Sequence, residues 1–415
     1  MQGDGKRGGA SKHDPLIALR QRGFLVFVLS RFLSGASMTM FYAAVAWHVF
    51  DLTGSAFQLG VLGLVRFVPH AALSLVGGAV ADAFERRRVV MLSHAAPLLG
   101  TSLLCFVTAR GEAGMPILYA VILASAVAAA FESPARSALL PTLVPREIFP
   151  NAVIVHSTVQ ALAFVTGPAI GGLLIGAVGV EGAYAANAGL LFASLAALAF
   201  VRPLLAQAES RSVSLRAIRE GIAFVRDRRA VLGAMALDMF AVIFGGAQAL
   251  LPIYADEILG VGPRGYGLLS ASLELGALIM AFLLIVLPPF RKVGRALLFA
   301  VAAYGLFTIA FGLSRSFPLS VLAYMCVGMA DQVSVVMRHT LIQLSTPDEL
   351  RGRVSSVNMV FIGASNQLGA VEAGFVAALT SASFAVVSGG VGCLLALGLI
   401  ASRFPELRRY RVDQG

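Results

Sequence analysis

Long apolar runs separated by short polar stretches extend along almost the whole chain. A helix crosses the hydrocarbon core of a bilayer with about 20 apolar residues, and twelve runs have roughly that length. They cover residues 24–50, 57–81, 89–108, 115–135, 152–177, 183–201, 230–255, 266–289, 296–314, 318–337, 355–379 and 383–402. Because backbone polar groups in lipid need partners within their own segment, these runs predict twelve transmembrane helices.

A short motif occurs twice, once in each half of the chain. RSALLPTLVPREI at 136–148 returns 202 residues later as RHTLIQLSTPDEL. Arg136 matches Arg338 and Glu147 matches Glu349, and the intervening Leu and Pro matches hold the same register. Both copies lie between apolar runs, which predicts a cytoplasmic position for them. Coincidence between two short loops is the alternative to a duplicated unit.

The alignment of the halves continues on both sides of this motif. Gly172 precedes Gly374 by 202 residues, and Gly60 precedes Gly267 by 207. Between the halves, the polar stretch 203–229 carries apolar residues at helical spacing, which predicts an amphipathic helix on the membrane surface. The predicted fold is an all-α membrane protein of two pseudosymmetric six-helix bundles. Its expected parts are a tail (1–23), a first bundle (24–202), a linker (203–229), a second bundle (230–402) and a second tail (403–415).

Composition and charge agree with this prediction. Hydrophobic residues make up 58% of the chain and charged residues 13%, against about 25% charged in soluble proteins. The basic residues behind the net charge of +10 concentrate in the first tail and in alternate loops. This distribution predicts cytoplasmic termini in a plasma membrane, or the inner membrane of a Gram-negative bacterium. No soluble domain presents the arginines together, so we expect no nucleic-acid partner.

Motifs for catalysis or cofactors are not found in the sequence. The three cysteines stand singly and the histidines show no ligand spacing, so no metal site is expected. GVGPRG at 260–265 matches a dinucleotide-binding pattern only formally, because it follows an apolar run instead of a strand. We therefore expect a protein that is not an enzyme and has no cofactor. The expected partners are the bilayer, a small molecule and protons, and we expect a monomer.

The loop after the second apolar run, GGAVADAFERRR, resembles the signature of the major facilitator superfamily. Four of its residues occupy positions of that signature: Gly78, Asp82, Arg86 and Arg87. The resemblance implies a gating loop, in which a carboxylate near a helix end or an arginine latches one conformation. Ala83 and Glu85 depart from the pattern. An ordinary charged cytoplasmic loop is the alternative.

GPAIGG in the fifth run resembles the end of a signature of antiporter branches of that superfamily. Its candidate residues are Gly167, Pro168, Gly171 and Gly172. The glycines permit close helix approach and the proline bends the helix. Ala163 and Ile154 replace the earlier glycines of the signature, so close packing alone is the alternative.

Three further stretches, at 51–60, 249–267 and 338–358, resemble the branch that contains the enterobactin exporter and macrolide-efflux-like proteins. This resemblance implies a proton-coupled secondary exporter of a small amphipathic compound, either a siderophore or a drug-like molecule. The alternatives are a passive facilitator, an assembly partner of a biosynthetic complex, and an importer.

Ionisable residues within the apolar runs are candidates for proton coupling or substrate binding, because charges in a bilayer usually mark a pathway or a pair. They are Arg31, Arg66, Asp238, Glu274, Asp331 and Glu372. At the repeat offset of 207, Arg31 maps onto Asp238, and Arg66 maps next to Glu274. We therefore expect the halves to face each other with complementary charge, with Asp238 and Glu274 alternating between an arginine and a proton. Static interhelical pairs, and snorkelling of Arg31 to the cytoplasmic face, are the alternatives.

Overall fold

The computed structural model of the protein describes residues 17–201, 215–288 and 290–411, and these residues form helices and short connections without a strand. The first predicted tail and the first part of the predicted linker lie largely outside these ranges, whereas the second predicted tail is described up to residue 411 and contains the short helix Pro405–Arg409. The first half contains α1 Arg22–Thr53, α2 Ala56–Ala83, α3 Arg86–Ala109, α4 Met115–Leu139 and the helical stretch Phe149–Ala199. The second half contains α8 Arg229–Ile258, α9 Gly262–Val286, α10 Val293–Leu313, α11 Phe317–Ser345, α12 Asp348–Leu379 and α13 Ala382–Arg403.

The stretch Phe149–Ala199 is two membrane-spanning helices joined without a loop. Gly179 interrupts it with φ 79°, a left-handed conformation that glycine adopts without strain. We name the two arms α5 (149–178) and α6 (180–199). The helix Leu215–Asp227, named α7, falls within the predicted linker.

The twelve predicted spans correspond to α1–α6 and α8–α13, which confirms the predicted fold class. Within the described residues, nine helical stretches are long and apolar enough to cross a membrane. One of them holds both α5 and α6. The remaining two spans, α2 and α12, have 28 and 32 residues, which at about 1.5 Å per residue exceeds the hydrocarbon thickness.

Two helix crossings bring the halves together at one end of the molecule. We call this the distal end, because it lies opposite the terminal end, where α1 begins and α13 finishes. At one crossing, a Cβ on Gly172 of α5 would lie 2.4 Å from the Cα of Gly267 of α9. At the other, a Cβ on Gly374 of α12 would lie 2.5 Å from the Cα of Gly60 of α2. The repeat relates these crossings to each other, so the pseudosymmetry of the sequence reappears as two equivalent contacts.

The apolar cores are also distributed unequally between the two ends of the molecule. The core at the distal end combines both halves, with Trp47 and Tyr184 from the first and Tyr254 and Phe311 from the second. At the terminal end each half has its own core, built between residues 18 and 201 in one half and between residues 225 and 407 in the other. The halves are therefore held together at the distal end.

Several helices are longer than their apolar runs. Because α2 continues to Ala83, Gly78 and Asp82 lie in its last turns and not in the expected loop. Arg136 and Arg338, expected outside the membrane runs, are buried inside α4 and α11. The residues that follow the apolar runs in α4 and α11, RSAL at 136–139 and RHTLIQLS at 338–345, contain neither glycine nor proline, so the helix continues past the end of the run. The side chain of Asp82 lies outside the described part of the structure.

The acidic residues of the repeated motif lie beyond these helix ends. Glu147 is exposed in the short 3-10 turn Arg146–Ile148. Glu349 lies in the first turn of α12, and its side chain is outside the described set. The two copies of the motif therefore each join a buried arginine to a connection at the terminal end.

Candidate functional site

A cavity of about 500 Å³ lies between the two halves. Its wall is formed by α1, α2, α4 and α5 on one side and by α8–α12 on the other. Four tyrosines line it: Tyr42, Tyr266, Tyr304 and Tyr324. Five charged residues also line it: Arg66 from the first half, and Asp238, Glu274, Asp331 and Arg338 from the second. Sequence reasoning named the first four of these five as pathway candidates and placed Arg338 at the cytoplasmic repeat.

Arg66 is the cationic group of the first-half wall. The Cζ atom of its guanidinium lies 3.6 Å from the centroid of the Tyr42 ring, within the range of a favourable cation–π contact. One turn earlier on α2, Gly63 lies against Ala370 of α12, which fixes the depth of this part of α2. Among the described residues, no carboxylate forms an ion pair with Arg66.

Asp238 of α8 forms an ion pair with Arg338 of α11. Both residues are buried, with 5% and 2% of their surfaces exposed. The partner of Asp238 is thus an arginine of its own half, and the expected pairing with an arginine of the first half is not present. Helices packed in one bundle bring their side chains together, whereas the cavity separates the facing helices of the two bundles.

Glu274 of α9 and Asp331 of α11 also line the cavity, and neither forms an ion pair in the described part of the chain. Asp331 lies close enough to Asp238, Arg338 and Glu274 to interact electrostatically with all three. The second-half wall therefore carries three carboxylates around one arginine. Glu372 of α12 is half-buried but does not line this cavity.

A second ionic cluster lies inside the first half. The Nε of Arg136 donates to Oε1 of Glu132 at 2.8 Å. The Nη2 of Arg136 lies 2.8 Å from Nε2 of His94, and the same His94 nitrogen lies 3.1 Å from Oε1 of Glu132. Arg31 of α1 is close enough to Glu132 and Arg136 to interact electrostatically with them. Arg31 thus lies beside an ionic cluster of its own half.

Sequence reasoning missed Glu132 and His94. Glu132 lies near the end of the predicted fourth run, 115–135, and was not included among the ionisable candidates. The available signal was its position four residues before Arg136 in a helix, the spacing that brings opposite charges together on one face. No signal marked His94, which only the packing of α3 against α4 brings to the cluster.

The two clusters are related by the repeat with their charges rearranged. Arg136 and Arg338 are equivalent positions. In the first half the acid is Glu132, whose equivalent in the second half is Ser334. In the second half the acid is Asp238, whose equivalent is Arg31. Each half thus supplies its buried arginine with a carboxylate, but from a different helix.

The glycines of GPAIGG contact two different neighbours. Gly167 faces α1, where an added Cβ would lie 1.9 Å from Thr39 Oγ1, and Gly171 faces Met40 of the same helix. Gly172 faces α9 in the other half, as described above. Pro168 lines the cavity. The motif therefore packs α5 within its own bundle and against the opposite bundle at once.

The arginines of the predicted gating loop bind backbone carbonyls. Arg86 Nη1 donates to the carbonyl of Ala138 near the end of α4 at 2.9 Å, and Arg87 Nη1 donates to Val201, just after α6, at 2.8 Å. Cations near helix C-termini satisfy the last carbonyls and interact favourably with the helix dipole. In this conformation both arginines connect α3 to other helices of the first half.

Two six-helix bundles around a charged central cavity define a transporter of the major facilitator superfamily. The chain belongs to the family described as transmembrane secretion effectors, whose model matches residues 13–414. It is an integral membrane protein that acts on a small-molecule substrate.

Similar proteins of known name support the same class. The chain is 27% identical over 391 residues to the enterobactin exporter EntS of Escherichia coli, covering 94% of this chain and 93% of that protein. Among solved structures, the nucleoside transporter NupG superposes with a TM-score of 0.73 at 12% identity, covering 92% of this chain and 100% of that one. A bacterial homologue of the lysosomal transporter Spinster superposes with a TM-score of 0.73 at 16% identity, covering 95% and 99%. At these identities the superpositions establish the fold alone.

Proposed function

We propose that the protein is a secondary active exporter that uses protons to expel a small amphipathic compound by alternating access. The observation that carries this proposal is the presence of Glu274 and Asp331 in the central cavity, where neither carboxylate forms an ion pair among the described residues. A carboxylate that lacks a counter-ion in a membrane interior is stabilised by binding a proton or a cation. Exchange of a proton for substrate at these groups links the two fluxes.

The class of cargo rests on the relative and on the cavity wall. The relative named as an enterobactin exporter aligns with nearly the whole chain, which favours export and a siderophore or drug-like cargo. The wall combines tyrosine rings with a few charged groups, as is typical of sites for amphipathic small molecules.

Alternating access requires the distal crossings to separate and the terminal ends of the halves to approach. The two glycine crossings join the halves at the distal end, whereas the terminal ends have separate cores. We infer that this conformation admits substrate from the terminal end, and the distribution of basic residues supports a cytoplasmic position for that end. Rocking of one half against the other moves access to the distal end.

The remaining candidates have proposed roles in this cycle. The Asp238–Arg338 pair lies beside Asp331, so a change in the charge of one carboxylate alters the others. Arg86 and Arg87 with Asp82 form the proposed gate at the terminal end, together with the connections at Glu147 and Glu349. We further propose that a single copy of the chain in the plasma membrane, or in the inner membrane of a Gram-negative cell, carries out this cycle.

The test compares medium and cell contents by mass spectrometry in a host that lacks the protein and in the same host with the protein restored. Growth in iron-poor and iron-rich medium separates siderophores from other cargo. We expect a compound that is retained in the deleted cells and returns to the medium on restoration. An unchanged profile, repeated under challenge with macrolides and other drugs, contradicts export.

The passive-facilitator alternative predicts a different response to energy supply. Export driven by protons stops when an uncoupler removes the gradient, whereas facilitated diffusion continues down the concentration gradient of the compound. Transport that persists undiminished with uncoupler therefore favours a facilitator. Accumulation inside the restored cells favours an importer.

A further inference from the structure

The charges of the cavity wall are divided between the two halves. The first half contributes Arg66, whereas the second contributes Glu274 and Asp331 in addition to the internally paired Asp238 and Arg338. Because the Asp238–Arg338 pair is neutral as a unit, one positive and two negative groups are left facing the cavity. The positive and negative groups stand on opposite sides of the seam between the halves.

Arg66 is oriented for binding an anion. Its guanidinium stacks on the ring of Tyr42 at 3.6 Å from the centroid, which occupies one face of the plane. The N–H groups of a guanidinium lie at the edge of that plane, and they match a carboxylate or phosphate with two parallel hydrogen bonds. Stacking therefore holds the group in place and leaves its donors for a ligand.

The second-half carboxylates are arranged to bind a cation. Glu274 and Asp331 belong to different helices, α9 and α11, and both reach the same cavity. Each adds to the negative potential at the other, and at Asp331 the charge of Asp238 adds to it while the charge of Arg338 offsets part of it. An ammonium group between them relieves this repulsion and supplies three hydrogen-bond donors. Tyr304 and Tyr324 also line the cavity, close enough to Asp331 to interact electrostatically with it, and their rings offer surfaces on which organic cations bind.

We propose that the substrate of this cavity is a dipolar, zwitterionic amphipathic molecule. Its anionic group binds Arg66, its cationic amine binds Glu274 and Asp331, and its apolar body lies against the tyrosines. This inference rests on the proposed function and specifies its substrate class. A molecule with both charges contacts both halves, whereas a simple cation or a simple anion contacts only one.

Binding to both halves also connects recognition with movement. A ligand that bridges Arg66 and the second-half carboxylates favours a conformation in which the bundles are close around it. A ligand that carries only one of the charges stabilises no such conformation, because it leaves the opposite wall unpaired. Selectivity for the dipole therefore follows from the division of charge between the halves.

The experiment uses four probes that share one rigid apolar body. They are 4′-(aminomethyl)biphenyl-4-carboxylic acid, its methyl ester, its N-acetyl derivative, and the N-acetyl methyl ester. At neutral pH these are a zwitterion, a cation, an anion and a neutral molecule. Binding to the purified full-length protein in lipid nanodiscs is measured by isothermal titration calorimetry, which needs no transport.

We expect the zwitterion to bind about 10-fold or more tightly than either singly charged probe, since a hydrogen bond to a charged group contributes about 1.5–3 kcal/mol. In Arg66→Gln the preference over the cationic ester disappears, because that preference comes from the anionic group. In the double variant Glu274→Gln with Asp331→Asn the preference over the anionic probe disappears. Substitution of a residue that has only a structural role weakens the binding of all four probes to the same extent.

The matched controls make the same types of substitution at residues outside the cavity. Arg110→Gln removes an exposed arginine that stacks on Phe106 at 4.4 Å, and Glu372→Gln removes a half-buried carboxylate outside the cavity. Both are expected to keep the full preference for the zwitterion. Equal affinities for the four probes, no binding of the zwitterion, or loss of preference in the controls overturns the proposal. Such a result does not contradict export detected by mass spectrometry, so the experiment can refute the proposed substrate class without refuting the transport function.

Discussion

Gly172 on α5 and Gly267 on α9 bring helices of opposite halves into backbone contact, because a Cβ on Gly172 would lie only 2.4 Å from the Cα of Gly267. The carbonyl oxygen of Pro263 would lie 2.6 Å from the same Cβ. These neighbours are backbone atoms, which cannot move aside as a flexible side chain can. Glycine at this crossing is therefore a condition for closing the distal end.

The first prediction concerns this closure. We expect Gly172→Ala to separate α5 from α9 and to shift the protein toward conformations open at the distal end. The measurement labels Asn366→Cys, an exposed residue of the cavity wall, with a membrane-impermeant maleimide in a chain without its three native cysteines. Labelling from the distal side should rise and labelling from the terminal side should fall.

Gly374→Ala should act in the same direction, because its Cβ would lie 2.5 Å from Gly60 at the equivalent crossing. The matched control is Gly189→Ala on α6, where nothing lies within 4 Å of an added Cβ. Unchanged labelling in both crossing variants means that these contacts do not limit opening.

The second prediction concerns the buried pair of Asp238 and Arg338. Asp238→Asn leaves a buried arginine without its carboxylate, which in buried pairs costs about 3–5 kcal/mol. We expect a clear loss of thermal stability of the protein in detergent. As a comparison, Arg88→Gln removes the exposed Arg88–Glu85 contact, for which about 1 kcal/mol or less is expected.

The third prediction concerns a variant in which the buried arginine of the second half receives its carboxylate from the same position as in the first half. Ser334→Glu places a carboxylate one turn before Arg338, as Glu132 stands one turn before Arg136. In the Asp238→Asn background this change should restore part of the lost thermal stability. Ser334→Gln has nearly the same size without the charge and should restore none. Equal behaviour of the Glu and Gln variants contradicts the charge explanation.

The fourth prediction concerns coupling. Once a cargo is identified, Glu274→Gln should reduce its proton-driven export to about the level found with uncoupler, because the variant cannot bind and release a proton. Exchange of labelled for unlabelled cargo across the membrane should continue, since exchange needs no net proton movement. As a control, Glu372→Gln tests whether neutralising a half-buried carboxylate outside the cavity also reduces proton-driven export. Intact proton-driven export in Glu274→Gln excludes this residue as the coupling group.

Much of the fold follows from local patterns. Each span is a property of about 20 consecutive residues, so averaging along the chain finds it regardless of its neighbours. The repeat also predicted related glycines, and the structure brings Gly172 to Gly267 and Gly374 to Gly60. The predicted ends of the helices were less accurate, because the apolar run stops at the hydrocarbon boundary whereas the hydrogen bonds of the helix continue past it. Arg136 and Arg338 were assigned to connections for this reason.

The partners of the charged residues were not predictable in the same way. Asp238 and Arg31 are equivalent in the repeat, which suggested complementary charges across the seam, yet each interacts within its own half. An ion pair depends on the rotation and depth of two packed helices, and neither is encoded in the hydropathy of one segment. His94 was missed because its contact with Glu132 and Arg136 requires α3 and α4 to pack side by side.

Hydropathy and the internal repeat are sufficient to predict a membrane protein with twelve spanning helices in two related halves, because burial in lipid constrains every span separately. Which charges neutralise each other, and which face the cavity, depends on how the helices pack. Asp238 and Arg338 lie on neighbouring helices of one bundle and form a pair, whereas Arg66 and Glu274 stand on opposite walls of the cavity and form no ion pair among the described residues. The distance between the helices, which is set by the packing of the whole molecule, decides whether two opposite charges form a pair.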